Sequence, residues 1–291
     1  MPVFEQISVF FLQETGFLLL TTGLLGLVVG SFLNVVVYRL PKMIDNEERD
    51  YCQTLLHPET ETNNDDVFNL SVPRSHCPHC QHQITALENI PIISYLWQRG
   101  RCTDCKQKIS LRYPAVEVIT MLLSLVVTWQ LGFGAWLIPA LLLTWVLIAL
   151  SLIDFDWQVL PDNLTLPFLW LGLLCNVFGL YTDLNSAVIG AIAGYVSLWL
   201  VYQGFKLATG KEGMGYGDFK LFALLGAWLG WQALPMILLL SSLVGAVFGI
   251  TLILLYGRDK NVPMPFGPYL ACAGWLSLLW GEQINAFTSA I

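Results

Sequence analysis

Long apolar runs separated by short polar segments dominate the hydrophobic pattern of the chain. Eight of these runs show no strand-like alternation, and most approach the roughly 20 residues that one bilayer crossing needs. In lipid, only helices or closed barrels satisfy every backbone hydrogen bond, and these runs are too continuous for barrel strands. The pattern therefore predicts an all-α polytopic membrane protein with about eight transmembrane helices. The predicted spans are Gly16–Tyr38, Pro114–Leu131, Ala135–Ile153, Leu164–Tyr181, Ser186–Phe205, Phe219–Trp231, Leu234–Tyr256 and Met264–Trp280.

Composition supports a membrane protein and excludes two other classes. Hydrophobic residues make up 55% of the 291 residues and charged residues 12%, about half the charged share of a soluble domain. Such a chain has too little charge to cover a soluble surface and too much apolar surface to be disordered. A net charge of −7 with 14 basic residues argues against a nucleic-acid partner. Membrane lipid is the partner that this composition indicates.

The positions of the basic residues predict the topology. With eight crossings, all 14 basic residues fall on one side of the membrane, which the positive-inside rule assigns to the cytoplasm. The alternation requires the short sixth run, Phe219–Trp231, to count as a span, partial or tilted. Both termini are then expected on the outer side.

One sizeable polar segment, residues 39–113, interrupts the apolar runs and divides the chain. We expect an N-terminal transmembrane helix over residues 1–38, a cytoplasmic insert over 39–113 and a transmembrane core over 114–291. Within the insert, residues 43–70 are acidic and predict a solvated, flexible loop. Residues 71–110 contain four cysteines and form a second, distinct part.

The four cysteines of the insert form two CxxC pairs. Cys77 and Cys80 are followed by 21 residues and then by Cys102 and Cys105. Two such pairs present four thiolates to one tetrahedral Zn²⁺, whose binding can stabilise a segment that has no apolar core. Two disulfides are the competing interpretation, but the reducing cytoplasm disfavours them. A redox CxxC would not explain a second pair, so the spacing favours a zinc module.

Acidic side chains lie at the ends of apolar runs, where a carboxylate is costly and usually functional. Asp154 follows the third run and Asp218 begins the sixth, on the same predicted side of the membrane. Two partly desolvated carboxylates share one proton. One group can then activate a water molecule while the other protonates a leaving amine. Asp156 and Asp162 lie nearby. A simpler interpretation of both is that they are solvated acids, and a further one is that Asp162 caps the next helix.

Glycines and one further acid complete the candidate residues. Gly213, Gly215 and Gly217 precede Asp218 and permit close approach of the backbone. Glu117 lies near the start of the second span. It is either an acid of a second site or a carboxylate favoured by the helix N-terminus, and the sequence leaves both interpretations open.

Together these motifs resemble the type IV prepilin peptidase family, whose members are leader peptidases and N-methyltransferases. The Gly-x-Gly-Asp element at 215–218 is shared with the wider class of intramembrane aspartyl proteases. The resemblance extends over most of the chain. Besides the two CxxC pairs and Asp154, the segments that carry it are 30–41, 89–94, 113–117, 160–162 and 213–221.

The resemblance implies a bifunctional enzyme of the bacterial inner membrane. Asp154, seven residues before the proline of Leu160-Pro161, and Asp218 correspond to the catalytic aspartates. The implied reactions are cleavage of a short basic leader after a glycine, at the cytoplasmic face, and methylation of the new N-terminal amine, commonly of phenylalanine, with S-adenosylmethionine. The implied partners are type IV prepilins and the pseudopilins of type II secretion. No motif identifies residues that bind the methyl donor.

Two rival functions remain at this stage. A membrane transporter or scaffold with a zinc-ribbon module would also combine acids in helices with a cysteine insert. A transporter, however, typically has acids near mid-span and a paired repeat, whereas here the acids lie at span ends. The second rival is a peptidase without methyltransferase activity, and the two CxxC pairs favour the bifunctional reading over it.

Overall fold

The structure of the chain is a computed structural model that describes residues 15–56, 68–256 and 264–289. The chain divides into two compact units, Met1–Trp129 and Gln130–Ile291. In the described residues, β-pairing is limited to two isolated bridges, His76 with Gln83 and Arg101 with Lys108. All other regular structure in these residues is helical.

Eight long helices and one short helix account for the α-helical structure of the described residues. The first unit contains α1 (Thr15–Leu56), the short α2 (Ile93–Trp97) and α3 (Arg112–Leu131), and the last residues of α3 cross the boundary between the units. The second unit contains α4 (Leu137–Trp157), α5 (Asp162–Val177), α6 (Leu184–Thr209), α7 (Tyr216–Leu229), α8 (Leu234–Tyr256) and α9 (Gly267–Ser289).

The eight long helices correspond one to one to the eight predicted spans, which confirms the all-α membrane fold. Apart from α1 and α9, their ends lie within four residues of the predicted ends. Among the described residues, five segments are long and apolar enough to cross a membrane, judged by length and composition. These are Thr15–Leu56, Arg112–Leu131, Leu137–Trp157, Leu184–Thr209 and Trp231–Thr251.

The acidic stretch after the first span differs from the predicted loop. The helix α1 continues without interruption through Pro41 to Leu56, and residues 57–67 lie outside the described part. Side chains beyond Asn46 are mostly exposed, and Arg49 pairs with Asp45 one turn earlier, with 3.0 Å between nitrogen and oxygen. Such i,i+4 pairs stabilise an exposed helix. Residues 43–56 therefore form a solvated helix, and the predicted loop is wrong for this part of the acidic stretch.

Glycines allow α1 and α3 to cross closely. A Cβ on Gly26 would lie 2.9 Å from the Cα of Met121, and one on Gly30 would lie 2.7 Å from the Cα of Glu117. On the α3 side, the hydroxyls of Thr120 and Ser124 donate to their own helix, at 2.8 and 2.7 Å. Small residues that let two backbones approach are typical of helix contacts in membranes.

The short helix α7 is the core of the second unit. Phe219, Leu221, Leu224 and Trp228 have no exposed surface at all. From Leu221 to Leu229 the helix is apolar on every side, as an enclosed helix must be. Its 14 residues extend about 21 Å, which is less than the roughly 30 Å of a hydrocarbon core. The sixth predicted span is therefore a helix enclosed by protein.

Tight contacts hold α7 in place at its far end. Its Gly226 lies against Gly190 of α6, where an added Cβ would meet the opposite backbone. The Trp228 indole donates to the Phe168 carbonyl at 2.8 Å. The buried Asn176 amide donates to the carbonyls of Ala227 and Trp228 at 2.9 and 3.0 Å, which satisfies orphan groups of the helix C-terminus.

We predict that Gly30→Ala destabilises the protein, because the new methyl group would overlap the backbone of α3. Overpacking of this kind typically costs about 1–3 kcal/mol. The matched control is Gly16→Ala in the same helix, where no atom lies within 4 Å of the added Cβ. Thermal unfolding of detergent-purified protein measures both variants, and equal stability would contradict the close crossing of α1 and α3.

Candidate active site and metal centre

Asp154 lies near the C-terminal end of α4 and is 5% exposed. Its carboxylate oxygen Oδ2 accepts a hydrogen bond from the backbone N–H of Gly267 at 2.9 Å. The helix ends four residues later, where Gln158 adopts the left-handed conformation with φ 55° and its N–H bonds the Asp154 carbonyl. The side chain is thus enclosed at a helix end and held by a backbone donor.

Asp218 lies in the first turn of α7 and is 8% exposed. Its N–H donates to the Gly215 carbonyl at 3.3 Å. Leu160 lies next to both aspartates. It packs against Gly217, which precedes Asp218, and against Gly267, whose N–H donates to Asp154. The two predicted aspartates therefore come together within the second unit.

The other two acids of this region lie in different surroundings. Asp156 is exposed at the end of α4. The N-cap of α5 is Pro161, and Asp162 is the first residue inside the helix. It pairs instead with Lys220 of α7, whose Nζ lies 2.6 Å from Oδ1. The alternative that Asp162 caps α5 is therefore wrong, and its role is an ion pair between the first turns of two helices.

The glycines before Asp218 differ in what the structure requires of them. A Cβ on Gly217 would lie 2.7 Å from Leu160, and one on Gly213 would lie 2.8 Å from the Phe205 ring. Gly215 has nothing within 4 Å and an ordinary φ of −81°. Close approach of neighbouring atoms thus explains Gly213 and Gly217, and nothing in the structure explains Gly215.

Gly267 is a site residue that sequence reasoning missed. It begins α9, so its N–H belongs to the free donors of a helix N-terminus, which favour a carboxylate. A Cβ at this position would lie 2.7 Å from Oδ2 of Asp154. The sequence did contain a signal, because Gly267 is followed by Pro268 and proline is frequent in the first turn of a helix.

The four cysteines of the insert lie together in the first unit. Their Sγ atoms are all within 4.8 Å of one another, with 3.8 Å between Cys77 and Cys105 and 3.9 Å between Cys80 and Cys102. Four sulfurs about 2.3 Å from a central Zn²⁺ would be separated by nearly this distance, whereas disulfide sulfurs are about 2.05 Å apart. The donor set therefore fits a tetrahedral metal site.

The two CxxC pairs have the same local structure. In each, the residue after the second cysteine is left-handed, with φ 63° at Gln81 and 61° at Lys106. The N–H of that residue donates to the carbonyl of the first cysteine, at 2.9 and 3.2 Å. Backbone N–H groups of Cys80 and His79 lower the pKa of the Cys77 thiol to about 6, which favours the thiolate that binds metals.

Glu88 links the two CxxC pairs and was also missed. Its carboxylate accepts the Thr85 N–H at 2.8 Å and the Thr103 hydroxyl beside Cys102, and it contacts His82 at 3.2 Å. The bonds from Thr103 and Thr85 lower the pKa of Glu88 to about 2. Thr85-x-x-Glu88 is a capping-box pattern, so a signal for the local contact was present in the sequence.

Glu117 lies in α3 and is 8% exposed. Its Oε2 accepts the backbone N–H of Ile92 at 2.8 Å, and Ser31 of α1 lies near the same carboxylate. The side chain therefore joins α1, α3 and the loop before α2. Both partners lie outside its own helix, so a dipole contact alone does not account for its position.

The backbone of Ile92 is strained. Its φ of 59° and ψ of −49° are a genuine outlier for a β-branched residue. The Ile93 N–H bonds the Pro91 carbonyl across it, which makes a γ-turn of the rare positive-φ kind. Such a conformation costs about 1–3 kcal/mol and persists only where its surroundings hold it. The Glu117 carboxylate is one of the groups that hold it.

Comparison with known proteins gives consistent matches along the chain. The model for the "Bacterial Peptidase A24 N-terminal domain" matches residues 24–131, and the model for the "Type IV leader peptidase family" matches residues 141–250. No solved structure gives a significant match.

Several curated relatives named "Prepilin leader peptidase/N-methyltransferase" are similar over most of their length. The protein of Aeromonas hydrophila is 59% identical over 90% of both chains, and that of Pseudomonas aeruginosa is 56% identical over 91% of both. The protein of Legionella pneumophila is 44% identical over 96% of this chain and 97% of its own. These matches confirm the family predicted from the motifs: the chain belongs to the type IV leader peptidase family.

Proposed function

We propose that the chain is a membrane-bound prepilin peptidase and N-methyltransferase. It cleaves the leader of type IV prepilins and type II pseudopilins after a glycine, and it methylates the new N-terminal residue. The observation that carries the peptidase half is the burial of two carboxylates, Asp154 and Asp218, at the ends of two helices that both lie against Leu160 or its neighbours. The names of the relatives support both halves.

The chemistry needs both carboxyl groups. Like charges that are close and desolvated share one proton, so one group is a carboxylate and the other an acid. The carboxylate takes a proton from a water molecule as the water oxygen attacks the scissile carbonyl carbon. The acid gives its proton to the amine nitrogen as the peptide bond breaks, which leaves a carboxylic acid on the leader and a free amine on the pilin.

Neighbouring residues orient the pair. The Gly267 N–H holds Asp154 at Oδ2, and the first turn of α7 fixes Asp218. Leu160 packs against Gly217 and Gly267 and shields this side of the two carboxyl groups from water. A bond on a substrate helix can then meet fixed carboxyl groups, which lowers the entropic cost of reaching the transition state.

We infer that the site works at the cytoplasmic face of the bacterial inner membrane. The positive-inside rule applied to the 14 basic residues supports this side. A prepilin that is an apolar helix with a basic leader would present its scissile bond at that face. Membrane lipid surrounds both enzyme and substrate in this scheme.

We propose that Cys77, Cys80, Cys102 and Cys105 hold one zinc ion with a structural role. Four sulfur donors close the coordination shell and leave no position for substrate. The ion would supply the folding free energy of a module whose surface is largely exposed. S-adenosylmethionine is the methyl-donating substrate, and this chain's task in that step is to hold a neutral amine in line with the methyl group.

The transporter alternative is less well supported. A proton or ion path would need acids near the middle of spans, whereas Asp154 and Asp218 lie at helix ends. A peptidase without methylation would leave the cysteine module without a task in the reaction. The bifunctional proposal assigns a role to both units.

We predict that Asp154→Asn and Asp218→Asn each abolish measurable cleavage, a loss of about 10²–10⁴-fold or more, because each group does a different half of one proton-transfer cycle. The matched control is the exposed Asp156→Asn, which should keep most of its activity. The measurement is mass spectrometry of a purified prepilin after incubation with each variant. An inactive Asp156→Asn beside an active Asp154→Asn would contradict the assignment.

We predict one zinc per chain, measured by elemental analysis, and a lower zinc content after replacement of any of the four cysteines. Glu88→Ala should weaken zinc binding about tenfold, because outer-shell partners orient metal ligands. The control is Asp104→Asn, which changes an exposed carboxylate between Cys102 and Cys105 and should bind zinc normally. No zinc in carefully handled protein by elemental analysis, or two disulfides by mass spectrometry, would refute the site.

We predict that the two reactions separate. Asp218→Asn should still methylate a precut pilin whose N-terminal amine is already free, because methyl transfer needs a positioned neutral amine and no protease water. Disturbing the zinc site should mainly reduce methylation. Loss of methylation in Asp218→Asn, with zinc content and thermal stability intact, would indicate one shared site.

A further inference from the structure

The short helix α2 of the first unit presents apolar side chains to the outside. Ile93, Leu96 and Trp97 are 61%, 68% and 86% exposed. They are spaced three and four residues apart, so they share one face of the helical turn, which we call the α2 face. Tyr95 points the other way, and its ring lies against Gly100. A surface helix normally turns its apolar face to the core, so the α2 face lacks a partner within the described unit.

Positive charge is concentrated directly after the α2 face. Residues 97–112 contain five basic residues and one acidic residue, a formal net charge of +4, whereas the whole chain carries −7. The basic residues are Arg99, Arg101, Lys106, Lys108 and Arg112. We call these five residues the basic cluster.

Two charges of the basic cluster lie opposite each other without a compensating carboxylate. The backbones of Arg101 and Lys108 pair in an isolated antiparallel bridge, which places their side chains next to each other on one face. Both are exposed, and in the described part of the chain every ion pair involves other residues. Like charges in this arrangement are destabilising. The positive-inside rule accounts for basic residues on this side of the membrane but not for their pairing, which indicates an anionic partner.

The α2 face and the basic cluster meet at one open depression of about 650 Å³. Trp97, Arg99, Arg101 and Lys106 all contribute to its lining. Apolar and cationic side chains are therefore presented on the same side of the module. Tryptophan is enriched where a bilayer meets water, because its ring is apolar and its N–H can bond to polar headgroups.

Two contacts hold α2 at the level where the span α3 begins. Ile92, just before α2, donates its N–H to Glu117 at 2.8 Å, and Glu117 is five residues into α3, a rise of about 7.5 Å. Beyond α2, the Ile109 N–H donates to the Gly100 carbonyl at 2.8 Å, and Ile109 is separated from Arg112, the first residue of α3, by at most about 11 Å of chain. Since α3 is long and apolar enough to cross a membrane, the α2 face lies close to the bilayer surface.

We propose that the α2 face is an interfacial anchor that docks the cysteine module on an anionic lipid surface. Ile93, Leu96 and Trp97 enter the headgroup region, and the basic cluster binds the phosphates of anionic lipids. Segments that combine Trp and Leu with Lys and Arg bind such surfaces, and basic clusters just outside a span are attracted by the negative cytoplasmic leaflet. The proposal goes beyond the two proposed reactions and depends on neither of them.

The first test replaces Trp97 of the full-length protein with the photoreactive p-benzoylphenylalanine. The protein is reconstituted in nanodiscs of phosphatidylcholine, alone or mixed in equal parts with phosphatidylglycerol. After irradiation, mass spectrometry should find lipid attached at position 97, with at least about threefold more attachment in the anionic discs. The matched control is the same replacement of Tyr51, an exposed aromatic residue of the solvated part of α1, where little lipid should be attached.

Three results of this test would overturn the anchor. They are equal lipid attachment at positions 97 and 51, equal attachment at position 97 in the two kinds of disc, and attachment of position 97 to a second protein molecule in place of lipid. The last result would identify the α2 face as a contact between copies of the chain.

The second test removes the paired charges. Arg101→Gln combined with Lys108→Gln should reduce lipid attachment at position 97 in anionic discs about threefold or more. Salt at about 1 M should have the same effect on the protein with both charges, because it screens exposed charges. Arg101→Lys keeps the charge and should keep the attachment. The matched control is Arg49→Gln, which removes an exposed charge already paired with Asp45 and should leave attachment unchanged.

A third measurement separates lipid binding from folding of the module. In detergent without anionic lipid, the doubly neutralised protein should keep its zinc content and unfold at the same or a higher temperature, because a like-charge contact has been removed. Lower zinc content together with a lower unfolding temperature would mean that Arg101 and Lys108 stabilise the module itself. That result, or undiminished lipid attachment after both substitutions, would overturn the proposal.

Discussion

The second unit depends on the enclosure of α7, a helix that is too short to cross a bilayer. Its apolar side chains are buried on all sides, so neighbouring helices must supply the contacts that lipid would otherwise make. This requirement explains the close crossing at Gly190 and Gly226 and the space at Gly172 for the Trp228 ring. The enclosure begins at Asp218, which is 8% exposed, whereas Tyr216 in the same turn is 51% exposed.

A carboxylate inside an apolar unit needs polar partners, and the structure supplies them from helix ends. Asp154 receives the N–H of Gly267 at the start of α9, and Asp218 lies at the start of α7. Helix ends have unpaired backbone donors, so they provide polarity without additional polar side chains. The pair can remain water-accessible on one side while Leu160 closes another.

The first unit solves a different problem, because its cysteine module has almost no apolar core. Four sulfur atoms at metal-binding distances and the Glu88 network link its two CxxC pairs, which is how small modules are stabilised without a hydrophobic interior. Glu117 in turn links the loop between those pairs to α1 and α3. The strained Ile92 lies within that loop, and its N–H donates to Glu117.

The sequence by itself determined the helical membrane fold, the grouping of the four cysteines and the choice of Asp154 and Asp218 as candidates, because long apolar runs, CxxC spacing and acids at run ends are local signals. It could not distinguish a crossing helix from the enclosed α7, since both are simply apolar, nor a loop from the exposed helix over residues 43–56. Only the tertiary structure brought Gly267 to Asp154, Glu88 between the CxxC pairs and Ser31 and Ile92 to Glu117. The contact of Glu88 with Thr103 joins residues 15 positions apart, and that of Gly267 with Asp154 joins residues 113 positions apart. Contacts between separate helices are decided by how the helices pack, which no local pattern encodes.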